Sequence, residues 1–396
     1  MKDIVIISHF CYDFSVSDNG RFMYLAKHLS KEHNVEIITS SFCHASKKKR
    51  ESLTVTWPFK ITFLDEYGYK KNVSMKRFVS HYIWGKNVEK YLKVRKKPDV
   101  VYCAIPSLTG PLAAAKYCES NDIKFIIDIQ DLWPEAFHMV FCIPIISNVI
   151  FSPFQIIVNQ IYSKADEICA VSESYVKRAL SVNKKTKKGH TVFLGTNLIT
   201  FDYYASNEPF ICKRSGELWI GYCGSLSTSY DIASVIDALD ILNRKKITPK
   251  FIVMGDGVKK DEFQNYALIK NVDALFTGNL PYDQMCALLC ECDIVVNPIV
   301  KRSAASIINK HGDYAASGRP VINTQDSVEY RALVEGYEMG FNCQNGNAED
   351  IAEKILLLLN DENLRKIMGK NARRCAEEKF NRQNSYLELI ETITTD

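Results

Sequence analysis

Short apolar runs alternate with amphipathic segments along most of the chain. The run Ile4–Ser8 is followed by Arg21–Lys31, whose apolar residues recur at helical spacing, and then by the apolar run Val35–Thr39. Apolar runs of this length indicate buried strands, and the segment between them indicates an amphipathic helix. A strand, a helix and a second strand form the unit from which doubly wound parallel sheets are built.

This alternation stops in a polar stretch without periodicity, residues 198–216, and starts again at Trp219. We therefore predict an α/β protein of two Rossmann-like doubly wound domains facing a central cleft, where ligands are favoured. Residues 1–200 form the first predicted domain, 201–378 the second, and 379–396 a C-terminal helix that packs back toward the first. Further predicted strands are Pro98–Cys103, Lys124–Ile129, Ala165–Ser172, Thr191–Leu194, Val272–Phe276 and Ile294–Pro298, and strands with glycine turns are predicted over Trp219–Leu226 and Phe251–Gly257.

Two segments of the first domain depart from the alternation. Residues 44–75 are basic and contain aromatic residues, and we expect irregular structure there. Residues 139–162 are strongly apolar, but Pro144 and Pro153 interrupt them, so one straight helix is not expected. A helix pair in the core and a segment lying in a membrane interface both explain this apolar composition.

Composition places the chain among soluble globular proteins. It has 396 residues, with 46% hydrophobic and 24% charged residues. We expect no membrane-spanning helix, because no run of about 18 uncharged apolar residues occurs. The apolar run at the N-terminus is too short for a signal peptide.

Thirteen cysteines without paired spacing indicate free thiols and a cytoplasmic location. The spacing of Cys286 and Cys290 indicates one face of a core helix rather than a zinc site.

The charge is distributed unevenly between the two predicted domains. Residues 1–200 carry 28 Lys and Arg against 18 Asp and Glu, whereas the rest of the chain carries 22 against 28. A basic half suggests an anionic ligand or surface, and peripheral contact with an anionic inner membrane is one expectation. Nucleic acid is not an expected partner, because no nucleic-acid-binding signature accompanies the charge.

The segment from Ser306 to Asn323 predicts a helix, a sharp stop and a strand. Ser306 can cap the helix start, and Gly318 can end the helix. Lys310 lies in the first turn and Asp313 lies three residues later, on the same face. A helix start favours a phosphate, and Lys310 would add a full charge. An ordinary helix–strand unit with a solvated lysine explains the same pattern.

A second group of candidate residues follows predicted strands of the first domain. Asp131, Trp133 and Glu135 come directly after an apolar strand, and Asn19 and Gly20 lie in the first strand-to-helix turn. Ligands of open parallel sheets lie beyond the carboxyl ends of the strands, so we expect these residues on the acceptor side of a site. In the alternative, Asp131 caps a turn and Trp133 belongs to the core.

Four segments together resemble one enzyme family, the GT-B glycosyltransferases of family four. They are Asp128–Glu135, Gly221–Asp231, Val253–Gly257 and Ser306–Ile322. The likeness is greatest to bacterial enzymes of capsule, O-antigen and exopolysaccharide assembly. The resemblance implies a GT-B fold, a nucleotide-sugar donor and a retaining transfer. The donor-binding residues that we predict on these grounds are Gly224, Ser225, Gly255, Gly257, Ser306, Asn309, Lys310 and Asp313.

The resemblance also implies individual roles. Asp313 stands where the family's second acidic residue binds the nucleotide ribose, but the first acid would fall at Ala305. Lys310 resembles the lysine of a variant with a shortened loop. The turn over residues 224–230 lacks the Arg and Lys that often hold the diphosphate in this family. The diphosphate would then be held by Lys310, by the helix start and by backbone N–H groups, with Lys301 or Arg302 as further candidates.

The predicted reaction is the transfer of a sugar from a UDP-sugar to a lipid-linked or glycan acceptor. Asp131 and Lys310 are the predicted catalytic residues, and no metal or other cofactor is expected, because no Asp-x-Asp motif occurs in the relevant segments. Two alternatives share this architecture: a nucleotide-sugar 2-epimerase and a silent scaffold of a polysaccharide assembly complex. A nicotinamide dehydrogenase is disfavoured, because the glycine fingerprint is incomplete.

Overall fold

The computed structural model describes the chain except for residues 12–13, 15–19, 52–54, 73, 136–143, 302–306 and 396, and it describes only the backbone of residues 144–150. The described residues form two compact units. One comprises Met1–Val192 together with Tyr386–Asp396, and the other comprises Phe193–Ser385. The domain ranges and the cleft predicted from the sequence stay predictions.

The first unit is built on a seven-stranded parallel sheet with the order β5-β2-β1-β6-β7-β8-β9. A short antiparallel hairpin, β3–β4, lies outside this sheet. The C-terminal helix Leu387–Thr394 also belongs to this unit. The other elements are β1 (Asp3–Ile7), α1 (Arg21–Leu29), β2 (Asn34–Ser40), β3 (Phe42–Cys43), β4 (Lys48–Lys49), β5 (Lys60–Leu64), α2 (Met75–Val94), β6 (Val100–Ile105), α3 (Thr109–Asn121), β7 (Lys124–Ile129), α4 (Pro144–Lys164), β8 (Glu167–Ala170), α5 (Glu173–Leu180) and β9 (His190–Thr191).

The second unit is built on a six-stranded parallel sheet with the order β12-β11-β10-β13-β14-β15. A π-helical turn, Ala376–Phe380, follows its longest helix. The elements are α6 (Leu198–Ala205), β10 (Trp219–Cys223), α7 (Ile232–Arg244), β11 (Lys250–Met254), α8 (Lys260–Ile269), β12 (Ala274–Gly278), α9 (Tyr282–Glu291), β13 (Ile294–Asn297), α10 (Asn309–Ala316), β14 (Val321–Asn323), α11 (Val328–Gly336), β15 (Gly340–Asn342), α12 (Ala348–Asn360), α13 (Glu362–Cys375) and α14 (Arg382–Ser385).

Both sheets follow the doubly wound strand order, in which the third strand pairs with the second, the second with the first, and the first with the fourth. The central strands are buried along their length, as expected for strands covered by helices on both faces. The strand order reverses between β1 and β6 in the first unit and between β10 and β13 in the second. Ligands of such sheets bind beyond the carboxyl ends of the strands at this point.

Three predictions about regular structure were wrong. The stretch 44–75, expected to be irregular, contains β5, which is an edge strand of the first sheet. The stretch 198–216, expected to lack periodic structure, contains α6, where Leu198 and Phe201 are buried. The apolar stretch was expected to be interrupted at Pro153, but α4 continues through that residue. Pro144 is the first residue of α4, a position that needs no intrahelical N–H bond.

The apolar stretch that was considered for a membrane interface contributes to the core of the first unit. Within the described part of α4, Phe151, Val158 and Ile161 are buried, so these residues belong to the core. None of the helices in the described ranges is both long enough and apolar enough to cross a membrane.

The twelve cysteines outside residues 136–143 are all free. Cys286 and Cys290 lie on α9, as the spacing predicted, and burial raises the pKa of both thiols.

Candidate functional site

In the second unit, the loops that follow β10 and β11 are held together by backbone contacts. Gly224 donates its N–H to the carbonyl of Met254 at 2.9 Å, and Leu226 donates to the carbonyl of Asp256 at 2.8 Å. A Cβ atom on Gly255 would lie 1.8 Å from the carbonyl oxygen of Gly224. The close approach of the two loops therefore requires a glycine at position 255.

Gly257 also lies where the two loops meet. A Cβ atom there would lie 2.3 Å from the carbonyl oxygen of Leu226, and its φ of +157° is one that other residues rarely adopt. Ser225 is exposed, and its carbonyl accepts a hydrogen bond of 2.7 Å from the Tyr222 hydroxyl. Packing between the loops explains these residues, and their predicted contacts with a donor stay predictions.

Helix α10 begins two residues later than the sequence predicted. Its N-cap is Ile308 and its first residue is Asn309, which is exposed. The prediction that Ser306 caps the helix was therefore wrong, and Ser306 itself lies outside the described residues. The predicted stop is confirmed: Gly318 has a φ of +64°, and β14 follows shortly after Pro320.

Lys310 is the second residue of α10 and is almost completely buried, with 8% of its surface exposed. Its Nζ lies 4.0 Å from the centre of the Tyr230 ring and 4.4 Å from that of Tyr222. The same atom lies 3.3 Å from the Tyr222 hydroxyl. Lys310 forms no ion pair with any residue of the described ranges. The alternative of a solvated lysine is therefore wrong.

This environment changes the protonation of Lys310. Burial lowers the pKa of the ammonium to about 7 from its usual 10.5. Aromatic rings stabilise a cation through their negative faces, but they do not neutralise it. A negatively charged ligand close to Nζ would supply that neutralising charge and would raise the pKa again. The surroundings of Lys310 Nζ therefore suit an anion.

Asp313 lies one turn beyond Lys310 and is held in place by two hydroxyl groups. Thr196 and Tyr282 each donate a hydrogen bond of 2.8 Å to its Oδ1 atom. Burial raises the pKa of this carboxyl above its usual value. In the described part of the chain, both of these bonds go to Oδ1, so Oδ2 can accept from a further donor. The predicted contact between Asp313 and a ribose stays a prediction.

Sequence reasoning did not single out the two tyrosines around Lys310. Tyr222 lies at the end of β10, and Tyr230 lies in the turn that was noted for lacking Arg and Lys. Their rings pack edge to face at an angle of 67°, with centres 6.0 Å apart. The signal in the sequence that could have identified them is that both aromatic residues flank the glycine turn at Gly224. Among the described residues, no group of three or more His, Cys, Asp or Glu side chains is placed to hold a metal ion.

In the first unit, Asp131 lies just beyond β7, at the carboxyl end of the sheet. The Trp133 indole, which is 7% exposed, donates a hydrogen bond of 3.2 Å to Asp131 Oδ2. Burial raises the pKa of the Asp131 carboxyl. Trp133 is thus a buried residue, as the alternative expected, and it also orients Asp131.

The remaining acceptor-side candidates have structural partners. Glu135 forms an ion pair of 2.6 Å with Arg178, which restricts its use in chemistry. Gly20 is buried before α1, and its carbonyl accepts a bond from the N–H of Tyr24. Asn19 lies outside the described residues. Sequence reasoning missed a buried ion pair beside this region, in which Arg21 contacts both oxygens of Asp128 at 2.9 Å.

Comparison with known proteins relates part of this chain to glycosyltransferases. The family model described as Glycosyl transferases group 1 matches residues 207–375, all within the second unit. The uncharacterized glycosyltransferase MJ1178 of Methanocaldococcus jannaschii is 25% identical over 213 residues, which cover 53% of this chain and 54% of that protein. The capsular polysaccharide biosynthesis glycosyltransferase CapM of Staphylococcus aureus is 26% identical over 249 residues, which cover 58% and 62%. The chain therefore spans between half and two thirds of these curated relatives.

Solved structures resemble the chain over its whole length. Anabaena Alr3699/HepE, solved with UDP and glucose, gives a TM-score of 0.71 at 14% identity and covers all of both chains. Sucrose-phosphate synthase of Thermosynechococcus elongatus gives 0.73 at 14% identity and covers 99% and 98%. Identity this low establishes the fold alone. The chain has the predicted GT-B fold, with two Rossmann-like parallel sheets, and its second unit carries the match to Glycosyl transferases group 1.

Proposed function

We propose that this protein is a cytoplasmic retaining glycosyltransferase that moves a sugar from a UDP-sugar to a lipid-linked or glycan acceptor in surface polysaccharide synthesis. The observation that carries the proposal is Lys310, a buried cation with no ion-pair partner in the described ranges, at the point where the strand order of the second sheet reverses. The names of the relatives support the reaction class, since CapM is a capsular polysaccharide glycosyltransferase. The UDP in the HepE structure supports the donor.

Lys310 would act on the leaving group. In the transfer, the bond between the anomeric carbon and the diphosphate oxygen breaks, and negative charge builds on the diphosphate. The Lys310 ammonium and the positive end of the α10 dipole would stabilise that charge from fixed positions, without a metal. A diphosphate near Nζ raises the pKa of Lys310 above 7, so the bound state holds the proton.

Asp131 would act on the acceptor. A new bond forms between the acceptor oxygen and the anomeric carbon, on the face that the diphosphate leaves. The acceptor proton passes to the departing phosphate oxygen, so no protein base is needed. Asp131, oriented by the Trp133 indole, would align the acceptor hydroxyl for this step. The raised pKa of Asp131 fits a carboxyl that exchanges hydrogen bonds with a hydroxyl group in a buried site.

The decisive experiment replaces Lys310 with alanine and measures UDP binding by calorimetry and sugar transfer with radiolabelled UDP-sugars and a lipid extract. We expect turnover to fall by more than about 100-fold, the scale of losing one fixed donor to a developing anion. Lys366→Ala is the matched control, because Lys366 is exposed on α13 and pairs only with Glu362 in the described chain. Unchanged UDP binding and transfer in Lys310→Ala would refute the proposal.

A peripheral membrane contact is a separate part of the proposal. On α2, Met75, Val79 and Tyr82 are exposed apolar residues spaced along one helix face, and the neighbouring Lys71 and Lys76 are also exposed. Apolar residues flanked by lysines favour an anionic lipid surface. We expect binding to phosphatidylglycerol vesicles at low salt, weakened at high salt and in Val79→Ser. Vesicle binding that changes neither with salt nor in Val79→Ser would contradict the proposed membrane contact.

A further inference from the structure

The loops at the carboxyl edge of the first sheet, where its strand order reverses, form a polar network around His9. The His9 ring contacts Ser107 Oγ at 2.9 Å through Nδ1 and Glu66 Oε1 at 2.8 Å through Nε2. Glu66 also accepts hydrogen bonds of 2.5 Å from Ser40 and Ser80. All five side chains are buried, and Ser107 is 1% exposed. A serine without access to solvent is not a nucleophile, so this network holds the loops in place and occupies both oxygens of Glu66.

Next to this network, Arg77 lies among aromatic rings. Its guanidinium carbon is 4.5 Å from the centre of the Trp133 ring, 5.5 Å from that of Tyr69 and 5.9 Å from that of Phe10. One of its terminal nitrogens donates to the carbonyl of Asn72. Its Nε is buried without a hydrogen-bond partner, and Arg77 forms no ion pair with a described residue.

Two further nitrogen groups lie beside Arg77. Lys47 is in the hairpin turn between β3 and β4, with its Nζ 2.6 Å from Asn72 Oδ1, 3.2 Å from the His44 ring and 5.0 Å from the centre of the Tyr69 ring. The His44 ring contacts the Tyr69 hydroxyl at 2.5 Å. Lys47 has a φ of +57°, which a lysine rarely adopts, so the turn holds it at a conformational cost.

The protonation of these groups reports an excess of positive charge. Burial, and then the charges of Lys47 and Arg77, lower the pKa of His44 to about 4. Burial and the charge of Arg77 lower the pKa of Lys47. Two carboxylates act on Arg77: Glu66 is already occupied by His9 and two serines, and Asp131 accepts a hydrogen bond from the Trp133 indole. Neither carboxylate forms an ion pair with Arg77 in the described ranges, so the cluster keeps hydrogen-bond donors and positive charge for an anionic ligand.

We propose that Arg77, Lys47, His44 and Tyr69 bind a phosphate or diphosphate group carried by the acceptor, an inference that rests on the proposed glycosyl transfer. A guanidinium and an ammonium on one half-buried surface suit a multiply charged oxyanion better than a neutral sugar. Arg77 stacks on Trp133, and the Trp133 indole orients Asp131. The phosphate group would therefore bind close to the residue that aligns the acceptor hydroxyl. Of the two acceptor classes, this favours the lipid-linked one.

The test measures binding of inorganic pyrophosphate by calorimetry in full-length Lys310→Met protein, which lacks the other candidate anion site. We expect Arg77→Gln to weaken binding roughly tenfold or more, the scale of losing charge-assisted hydrogen bonds, and Lys47→Gln to weaken it several-fold. Lys93→Gln is the control, because it removes one charge from the same helix at a residue that is 64% exposed and pairs with Glu89. Circular dichroism verifies folding, and Lys47→Gln carries the test if Arg77→Gln does not fold.

A second arm identifies the source of the phosphate. The same variants are sedimented with phosphatidylcholine vesicles that contain phosphatidic acid, and with vesicles that lack it. The site is supported if Arg77→Gln and Lys47→Gln lose binding to pyrophosphate or to phosphatidate. Loss of pyrophosphate binding indicates a soluble phosphate, and loss of phosphatidate binding indicates a lipid-borne phosphate. Equal binding by both variants and the parent in both arms overturns it. Because the proposed UDP binding rests on Lys310 and not on Arg77, failure here leaves the proposed transfer standing.

Discussion

Arg21 in the first unit and Lys310 in the second are both almost completely buried cations, with 4% and 8% of their surfaces exposed. Their surroundings are opposite. Arg21 contacts both oxygens of the buried Asp128 and donates to the carbonyl of Val192. Lys310 is surrounded by two tyrosine rings and forms no ion pair in the described ranges. A buried cation with a built-in counterion holds the fold together, whereas we propose that the one without a counterion binds a ligand.

The largest expected effect is on the paired cation. Arg21→Met leaves the Asp128 carboxylate buried without its partner, so we expect the free energy of unfolding to fall by about 3–5 kcal/mol. Denaturant unfolding followed by circular dichroism measures this. The double variant Arg21→Met with Asp128→Leu removes both charges and should recover most of the loss. A double variant as unstable as the single one would show that Arg21 acts through packing and not through its charge.

The unpaired cation should behave in the opposite way. Lys310→Met removes a charge that the fold buries without compensation, so we expect the ligand-free protein to gain about 1–4 kcal/mol while UDP binding is lost. The folded-state pKa of about 7 lies below the usual 10.5, so the folded state binds the proton less readily than the unfolded state. The destabilisation is therefore complete below pH 7 and fades as the pH rises toward 10.5.

Unfolding of Lys310→Met and the unsubstituted protein at pH 6 and at pH 10 measures this difference. The gain should be larger at pH 6. Equal gains at both pH values would mean that the stabilisation comes from packing of the methionine side chain. A loss of stability at pH 6 would indicate that the tyrosine rings already compensate the charge, and the contrast with Arg21 would then disappear.

How far the sequence predicted this contrast depends on the distance between the partners along the chain. Lys310, Gly318 and β14 lie within one segment, and their local order was predicted correctly apart from the helix start. Tyr222 is 88 residues from Lys310, and Asp128 is 107 residues from Arg21. Such pairs are brought together only by the strand order of each sheet. Residue patterns predicted most of the strands, but they carry no information on which side chains meet across them.

The missed elements have a related cause. The edge strand β5 has a mostly half-buried sequence, Lys60–Leu64, and lies in a basic stretch without a clear period. Its place in the sheet comes from pairing with β2, a contact that no local pattern records. Helix α4 continues through Pro153 because packing of its buried residues, such as Val158 and Ile161, outweighs the local preference against proline. Tertiary contacts therefore determine both the pairing of β5 and the continuation of α4 through Pro153.

A smaller effect follows from the titration of Lys310. If UDP binds the charged form, its affinity should fall roughly tenfold between pH 6 and pH 8, since the ligand-free pKa is about 7. The variant Lys310→Arg keeps its charge over this range and should lose most of the pH dependence. Calorimetric titration of both proteins separates this effect from titration of the UDP phosphate, which is common to them. A parallel pH dependence in the two proteins would exclude Lys310 as its source.

The smallest expected effect concerns the rings that hold the cation. Tyr230 contributes its face to Lys310 at 4.0 Å, and a cation–π contact of this kind is worth about 0.5–2 kcal/mol. We expect Tyr230→Leu to weaken UDP binding about threefold to tenfold, because the loss of the ring lowers the population of charged Lys310. Tyr230→Phe keeps the ring and should bind nearly as the parent does. If both variants weaken UDP binding equally, the Tyr230 hydroxyl contacts the ligand directly and the ring face does not matter. If neither variant weakens UDP binding, the ligand alone maintains the charge of Lys310. The tyrosines would then serve only to exclude water from the unpaired Lys310 ammonium.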